Sequence, residues 1–456
     1  MYQKLVKYIS FPLIARRDGL AGLVSHIKKL EQTQYWSSEQ LREYQFIKIK
    51  QLFIHAYETT EFYKKRFDEA KLNPRQLKDF SEIEKLPLLT KEDIRVNLQD
   101  MISNNYHNSQ LHSSETGGTT GVKMIFYRDN ACLSPKEAAL YRFEKWAGWD
   151  IGERMGLVWT AQQDYVGHWT LKSRIKNELF GRQVVFPAAI MDEELIVNYI
   201  SLLQKRQPII IRAFSSPIYE VAKFMLDRSI SDIRLKGVIT TGEPLYPHQR
   251  TAISSSFQCD VYDSYRCREV GPIAQECKYH QGMHINAESV YLEVVDEGGK
   301  PVAKEEKGDI VVTDLLNYGM PLIRYKMGDV GNLSDNICSC GRGLPFLKKI
   351  WGRTVDNLYT PEKKKITAGS LVLYLVDEAP GLIGQVQIIQ DKLDHLIIRL
   401  TSNPPVTQEI IEYQKKTVKR LFGDKMRLSF EQVENIPREK SGKYRFTICN
   451  IPVTDL

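Results

Sequence analysis

An α/β fold in two unequal domains is the class this sequence predicts, and three observations carry it. Between residues 156 and 262, short apolar runs alternate with amphipathic stretches of helical spacing. Beyond residue 285, extended runs follow one another with only turns between them. After a break at 352–365, a last stretch of mixed helix and strand is long enough for a small domain of its own.

Residues 1 to about 100 read as helical, with apolar positions at helical spacing through Leu41, Tyr44 and Ile47 and on to Leu52. The runs Gly156-Leu157-Val158-Trp159, 183–186, Ile209-Ile210-Ile211, Gly237-Val238-Ile239-Thr240 and Val261-Tyr262 then read as strands, with helices at 193–204, 218–228 and 247–257 between them. Strand, helix and strand in alternation imply right-handed crossovers and an open, mostly parallel sheet. The runs at 289–295, 309–313 and 322–325 leave no room for helices, so they predict an antiparallel sheet or small barrel appended to the α/β core. The end of the chain predicts one helix, strands at 385–389 and 396–400, a helix at 406–421 and a last strand. The expected domains are residues 1–351 and a smaller α+β unit, 352–456.

Composition narrows the function classes. A chain of 456 residues, 42% hydrophobic and 26% charged, is an ordinary globular protein too long for one ordinary core. The net charge of +7 is scattered, and Lys363-Lys364-Lys365 reads as a solvated loop. The clustered basic and aromatic residues that a nucleic-acid binder needs are missing. No apolar run approaches the length that spans a bilayer. Residues 1–15 hold a few positive charges and a short apolar stretch that Pro12 interrupts, followed by Arg16-Arg17 without a small-residue cleavage site. They read as a helical arm, with a surface-seeking amphipathic helix as the alternative. A cytoplasmic protein is expected. Seven cysteines, an odd number, argue against a disulfide framework. Cys132, Cys259 and Cys449 read as packed thiols, while Cys267, Cys277, Cys338 and Cys340 lie closer to chemistry.

The strongest local signal is Glu115-Thr116-Gly117-Gly118-Thr119-Thr120-Gly121. Three glycines among small hydroxyl residues let backbone N–H groups and threonine hydroxyls approach a phosphate closely. It lacks the Gly-Lys-Ser/Thr ending of a Walker loop. Thr240-Thr241-Gly242-Glu243 follows a strand, and a strand-end turn facing a crevice is where an α/β sheet binds ligands. Further along stand Tyr265-Arg266-Cys267-Arg268-Glu269, Arg324-Tyr325-Lys326-Met327-Gly328-Asp329, Gly352-Arg353-Thr354-Val355-Asp356 and Pro437-Arg438-Glu439-Lys440-Ser441-Gly442-Lys443.

These segments, in this order, resemble the motifs of the adenylate-forming superfamily of acyl-CoA synthetases and adenylation domains. Within it they resemble most the phenylacetate–CoA ligase-like branch associated with capsule and surface-polysaccharide pathways. The resemblance runs over nearly the whole chain. It implies that Thr116, Gly117, Gly118, Thr119, Thr120 and Gly121 hold the phosphates of ATP and that Gly242 and Glu243 lie along the adenine. Tyr265 would pack on that ring, Glu269 hold Mg²⁺, Asp329 accept the ribose hydroxyls, and Arg353 reach ribose or phosphate. Lys443 would enter the site on a mobile C-terminal lid, with Lys443, Glu269 and Thr119 as the catalytic set. The sequence departs from the family pattern at Arg266 (usually glycine), Arg268 (usually threonine), Met327 and Val355.

A second constellation is Cys277, with His280 and His284 after it, and Cys338-Ser339-Cys340. Three thiolates and one imidazole make a closed tetrahedral zinc site, structural because no position is left for water. His284 is preferred because it precedes the strand start at Ile285-Asn286, with His280 as the alternate. The ligase-like branch carries a comparable knuckle.

The resemblance thus implies an enzyme that uses ATP and Mg²⁺ to activate a small-molecule carboxylic acid as its acyl-adenylate and passes it to a thiol, coenzyme A by default. An amide synthetase with an amine acceptor is the alternative, and a non-catalytic nucleotide-binding protein a second one. The acyl pocket is expected between Trp159 and Tyr219, where Trp159, His168, Trp169, Phe214 and Tyr219 are available.

Overall fold

The computed structural model describes residues 2–116, 124–159, 175–188, 192–242, 245, 247–350, 358–366, 383–402, 406–433, 436 and 447–451. The chain divides into two compact units, Met1–Ser114 with Phe126–Gly352, and Glu115–Ile125 with Arg353–Leu456.

The larger unit begins with helices at Phe11–Arg17, Leu23–Thr33, Ser38–Thr59 and Glu61–Glu69. The longest starts at a capping box, in which the Ser37 hydroxyl accepts from the Gln40 N–H and the Gln40 side chain returns the bond to Ser37 N–H. Strands β1 (Leu111–Thr116) and β2 (Met124–Asp129) form a two-stranded sheet. The main sheet holds β3 (Met155–Trp159), β4 (Gln183–Pro187), β5 (Ile210–Phe214), β6 (Gly237–Thr241), β7 (Asp260–Cys267), β8 (Gly271–Glu276), β9 (Met283–Ile285), β10 (Val290–Val295), β11 (Gly308–Asp314), β12 (Tyr325–Ser334) and β13 (Phe346–Ile350).

These eleven strands run in the order β10-β11-β12-β13-β9-β8-β7-β6-β5-β3-β4. From β4 to β7 every pairing is parallel, and from β7 to β10 every pairing is antiparallel. The expected parallel core and appended antiparallel portion are therefore one continuous sheet, joined through β7. Helices cover both faces of the parallel part, so its strands are apolar on both sides. Along β5, Ile210 packs with Leu23, Ile27 and Ala138, while its neighbour Ile211 packs with Ile196, Ile218 and Phe257 on the opposite face. Ile239 and Val238 divide in the same way on β6.

One expected strand shifts. The run at 322–325 reads as extended, but β12 begins only at Tyr325. Arg324 has φ 53°, a left-handed backbone that ends strand geometry before it. Its side chain is buried and held by Glu293, through Nη2–Oε1 at 3.0 Å and Nε–Oε2 at 3.2 Å, and by the carbonyls of Glu84, Leu86 and Gly299. Five bonds to one guanidinium sustain the unusual backbone.

In the smaller unit, β14 (Leu358–Tyr359) pairs with β15 (Lys365–Ile366), and β16 (Ile383–Lys392), β17 (His395–Ser402), β18 (Arg427–Gln432) and β19 (Thr447–Cys449) form a sheet in the order β18-β17-β16-β19. The helix Gln408–Phe422 buries Val418 and Phe422 against Val386, Ile388, Leu396 and Ile398. Two strands follow this helix where one was expected; β18 lies parallel to β17 and β19 parallel to β16. No helix among the described residues is long and apolar enough to cross a membrane.

Candidate nucleotide site and cysteine–histidine cluster

The carboxyl ends of the parallel strands are the place to look for a ligand crevice. Trp159 ends β3 and Phe214 ends β5, and their rings meet edge to face at 4.8 Å. Gly242 follows β6 with φ 80°, and a Cβ there would lie 2.4 Å from the Phe214 ring, so only glycine fits. Tyr219, another expected pocket residue, is partly buried and packs against the hydrophobic core.

Tyr265 lies near the end of β7, and Glu269 sits in the turn to β8. The Tyr265 hydroxyl donates to Asp329 Oδ2 at 2.8 Å, and the Tyr325 hydroxyl donates to Glu269 Oε1 at 3.0 Å. β12, which carries Tyr325 and Asp329, is four places from β7 in the sheet, about 19 Å away if the sheet were flat. A tyrosine cannot reach that far, so the antiparallel part must curl until β12 faces the β7–β8 turn. Glu269 is almost wholly buried. Its carboxylate is a hard oxygen ligand of the kind Mg²⁺ takes.

Arg266 replaces the family's glycine without a special backbone. Its φ is not positive, and the ladder accommodates it by a register irregularity between Tyr265 and Arg266. Its Nε donates to Ser264 Oγ at 2.8 Å. Burial, with the neighbouring Arg212 adding to it, pushes the guanidinium down to about 9. Arg212 itself pairs with Glu144 at 2.6 Å. The Cys267 thiol is pushed well above its ordinary value by burial, so it is no thiolate nucleophile.

Thr116 closes β1. Gly117, Gly118, Thr119, Thr120, Gly121, Glu243, Arg353 and Lys443 lie outside the described residues, as do His168 and Trp169.

Behind this site the ligand atoms of Cys277, His284, Cys338 and Cys340 all lie within 4.8 Å of one another. Cys277 Sγ is 3.5 Å from Cys338 Sγ, and Cys340 Sγ is 3.3 Å from His284 Nε2. Ligands about 2.3 Å from one tetrahedral centre stand about 3.8 Å apart, so this donor set fits zinc. Cys277 follows β8, His284 is on β9, and the other two cysteines lie between β12 and β13. His284 is buried between the rings of Trp146 and Phe346 and is pushed down to about 4, chiefly by that burial. It is thus neutral, as a metal ligand must be. His280 is outside the group; its Nδ1 meets Glu276 Oε2 at 3.2 Å. Burial would raise the Cys340 thiol, but hydrogen bonds from Arg342 outweigh it and hold the thiol below its usual value.

Sequence reasoning missed Tyr325 as the partner of Glu269, although it stands inside a quoted motif, and it missed Arg324 as an anchor. A lone arginine before a tyrosine carries no signal of burial; only the distant Glu293 explains it.

Residues 358–450 match the CapK C-terminal domain. Over its full length the chain resembles protein CapK of Staphylococcus aureus, 26% identical over 460 residues that cover 99% of this chain and 97% of that one. It also resembles the phenylacetate–coenzyme A ligase of Thermus thermophilus, 27% identical over 70% of this chain and 72% of the ligase. Among solved structures, a 2-hydroxyisobutyryl-CoA ligase in complex with 2-HIB-AMP and CoA shares the fold with a TM-score of 0.62, at 20% identity and 90% of each chain. The same ligase in its postadenylation state gives a TM-score of 0.60 over 92% of this chain and 93% of that one, at 21% identity. The chain is thus homologous to CapK and to the phenylacetate–coenzyme A ligases, and it has the fold of the adenylate-forming coenzyme A ligases.

Proposed function

We propose that the protein activates a carboxylic acid as its acyl-adenylate at the expense of ATP and passes the acyl group to coenzyme A. The observation that carries this reading is the convergence of Tyr265, Glu269 and Asp329, from two distant segments, at the carboxyl edge of the parallel strands. The homologous phenylacetate–coenzyme A ligases support it by name.

The chain's own groups divide the work. Asp329, oriented by the Tyr265 hydroxyl, offers a carboxylate to the paired hydroxyls of a ribose. Glu269, steadied by Tyr325, is the group to hold Mg²⁺, which would offset phosphate charge while pyrophosphate leaves. The Gly/Thr loop at 116–121 supplies neutral donors to the phosphates, with Thr119 among them. Gly242 and Glu243 flank the base, and Arg353 reaches the ribose or a phosphate. Lys443 brings an ammonium between the acid's carboxylate and the α-phosphate, where two anions must meet. No covalent protein intermediate is needed; position and charge suffice. Residues 352–456 act as a lid whose swing withdraws Lys443 before the acceptor enters. Cys277, His284, Cys338 and Cys340 hold a structural zinc.

The test is product analysis with ATP, Mg²⁺ and a panel of aromatic, fatty, hydroxy and amino acids, with and without coenzyme A. An acyl-adenylate from one acid class, converted to a thioester by coenzyme A, is the expected result. Lys443→Ala should lower adenylate formation by about 10²–10³-fold while ATP binding survives. An unchanged rate in that variant overturns the role of Lys443. Adenylate that is consumed by an amine and ignored by coenzyme A would move the reading to amide synthesis.

A further inference from the structure

The segment Tyr2–Arg17 has two apolar faces. It runs as an α-helix (Tyr2–Leu5), a π-helical turn (Val6–Ser10) and a second α-helix (Phe11–Arg17), with helical backbone at both joints. Pro12 has no N–H to give, and a widened turn just before it is the usual accommodation. One face packs inward: Val6 and Ala15 are buried, and the Phe11 ring meets Tyr141 at 5.2 Å. Lys7 reaches in as well and pairs with Asp150.

The outward face is apolar too. Tyr2, Leu5, Tyr8, Ile9 and Leu13 project from it at helical spacing, Tyr8 68% and Leu13 66% exposed. Beside them lie Ile175, Leu179 and Phe180, also exposed. The Tyr2 hydroxyl donates to the Leu179 carbonyl, and the Arg182 guanidinium lies 5.1 Å from the Tyr2 ring, so the two segments form one surface. Among the described residues, seventeen large hydrophobic side chains are exposed, and eight of them are here. Scattered exposed leucines need no explanation, but this concentration does.

Charge identifies what covers it. Residues 1–17 contain Lys4, Lys7, Arg16 and Arg17 and no acidic residue. At the rim, Asp18 is already taken by Arg17 at 3.0 Å and Lys176 at 2.7 Å, and Glu178 by Arg154 at 2.7 Å and Arg206 at 2.9 Å. A second copy docked about a twofold axis would set this basic strip against itself, with no carboxylate on the strip to answer it. An anionic lipid surface offers both the apolar medium and the opposite charge. We infer that the helix Tyr2–Arg17 and the adjoining turn at 175–181 dock the protein on an anionic bilayer, the apolar side chains entering the acyl boundary and Lys4 and Arg16 meeting the head groups. This inference is independent of the catalytic reading.

The experiment is co-sedimentation of the full chain with vesicles of phosphatidylglycerol and phosphatidylcholine in equal parts, beside vesicles of phosphatidylcholine alone. Binding to the first and not the second, weakened by added salt, is expected. The triple variant L5S/I9S/L13S should lower the bound fraction about tenfold or more. The double variant K4E/R16E, which leaves the apolar face intact, should do the same on anionic vesicles. Thermal melting of both variants should match the parent protein, since every altered side chain points outward. Absence of vesicle binding, or equal binding by the triple variant, overturns the inference. So does a concentration-dependent dimer of the parent protein that the triple variant abolishes, because a second copy would then own this face.

Discussion

The main sheet holds two groups of converging side chains, and they are fixed by opposite means. Tyr265, Glu269, Tyr325 and Asp329 meet through two hydrogen bonds across a curled sheet. Cys277, His284, Cys338 and Cys340 each bring one metal-ligating atom to within 4.8 Å of the others. The first is made of carboxylates and phenols joined by hydrogen bonds; the second is a set of soft donors grouped as a single metal would need. Yet the two share strands. Glu269 precedes β8 and Cys277 follows it, while Asp329 is on β12 and Cys338 lies just beyond. A metal in the second site would therefore hold the geometry of the first.

Breaking the clasp should have the largest effect. Cys338→Ser should lose bound zinc by elemental analysis and cost about 4 kcal/mol of stability, read as a fall in melting temperature. A parent protein free of zinc, with a variant that melts alike, would reduce the cluster to packed thiols. Adding a chelator should reproduce the loss without any mutation.

Breaking the first arrangement should touch function before stability. Tyr265→Phe removes the bond to Asp329 and should weaken nucleotide binding by about 1.5 kcal/mol, measured by calorimetry, with little change in melting. A large fall in melting temperature would show that Tyr265 is a structural strut, like the cysteines and histidine of the other group.

The smallest effect sharpens the boundary between the two. Asp263 on β7 is pushed up to about 7 by burial, with Glu276 adding to it, and Glu276 immediately precedes Cys277. In the unfolded chain an aspartate titrates near 3.9. Between about 4 and about 7 the folded state therefore keeps a proton that the unfolded state has lost, and stability falls as pH rises through that window. Asp263→Asn should flatten that slope in melting curves taken across the same range. A slope that persists unchanged would assign it to other groups.

Much of this contrast is legible in the sequence, because both groups are made of residue types whose chemistry is distinctive. A Cys-x-Cys turn, a carboxylate in a Tyr-to-Glu segment and a Gly-Asp turn each announce a class of ligand before any fold is known. The parallel part of the fold is equally legible, since buried strands such as Ile209-Ile210-Ile211 leave no other reading. What cannot be read is what depends on distance. Joining the parallel and antiparallel parts through β7 is a long-range pairing. The left-handed Arg324 is sustained by Glu293 and by carbonyls from two other segments, and no local rule predicts it. The choice between His280 and His284 likewise turns on Glu276, which takes the first away. Arg266, where the family has glycine, is absorbed by a register irregularity, and its guanidinium donates to Ser264.

The proposed first step joins the carboxylate of an acid to the α-phosphate of ATP. Exchange of labelled pyrophosphate into ATP reads that step alone, because it needs neither the acceptor nor release of the adenylate. Exchange that appears only with one class of acid, requires Mg²⁺, and disappears in Lys443→Ala is the predicted result. Protein that binds ATP yet shows no exchange with any acid in the panel would contradict the claim and leave a nucleotide-binding protein without this chemistry.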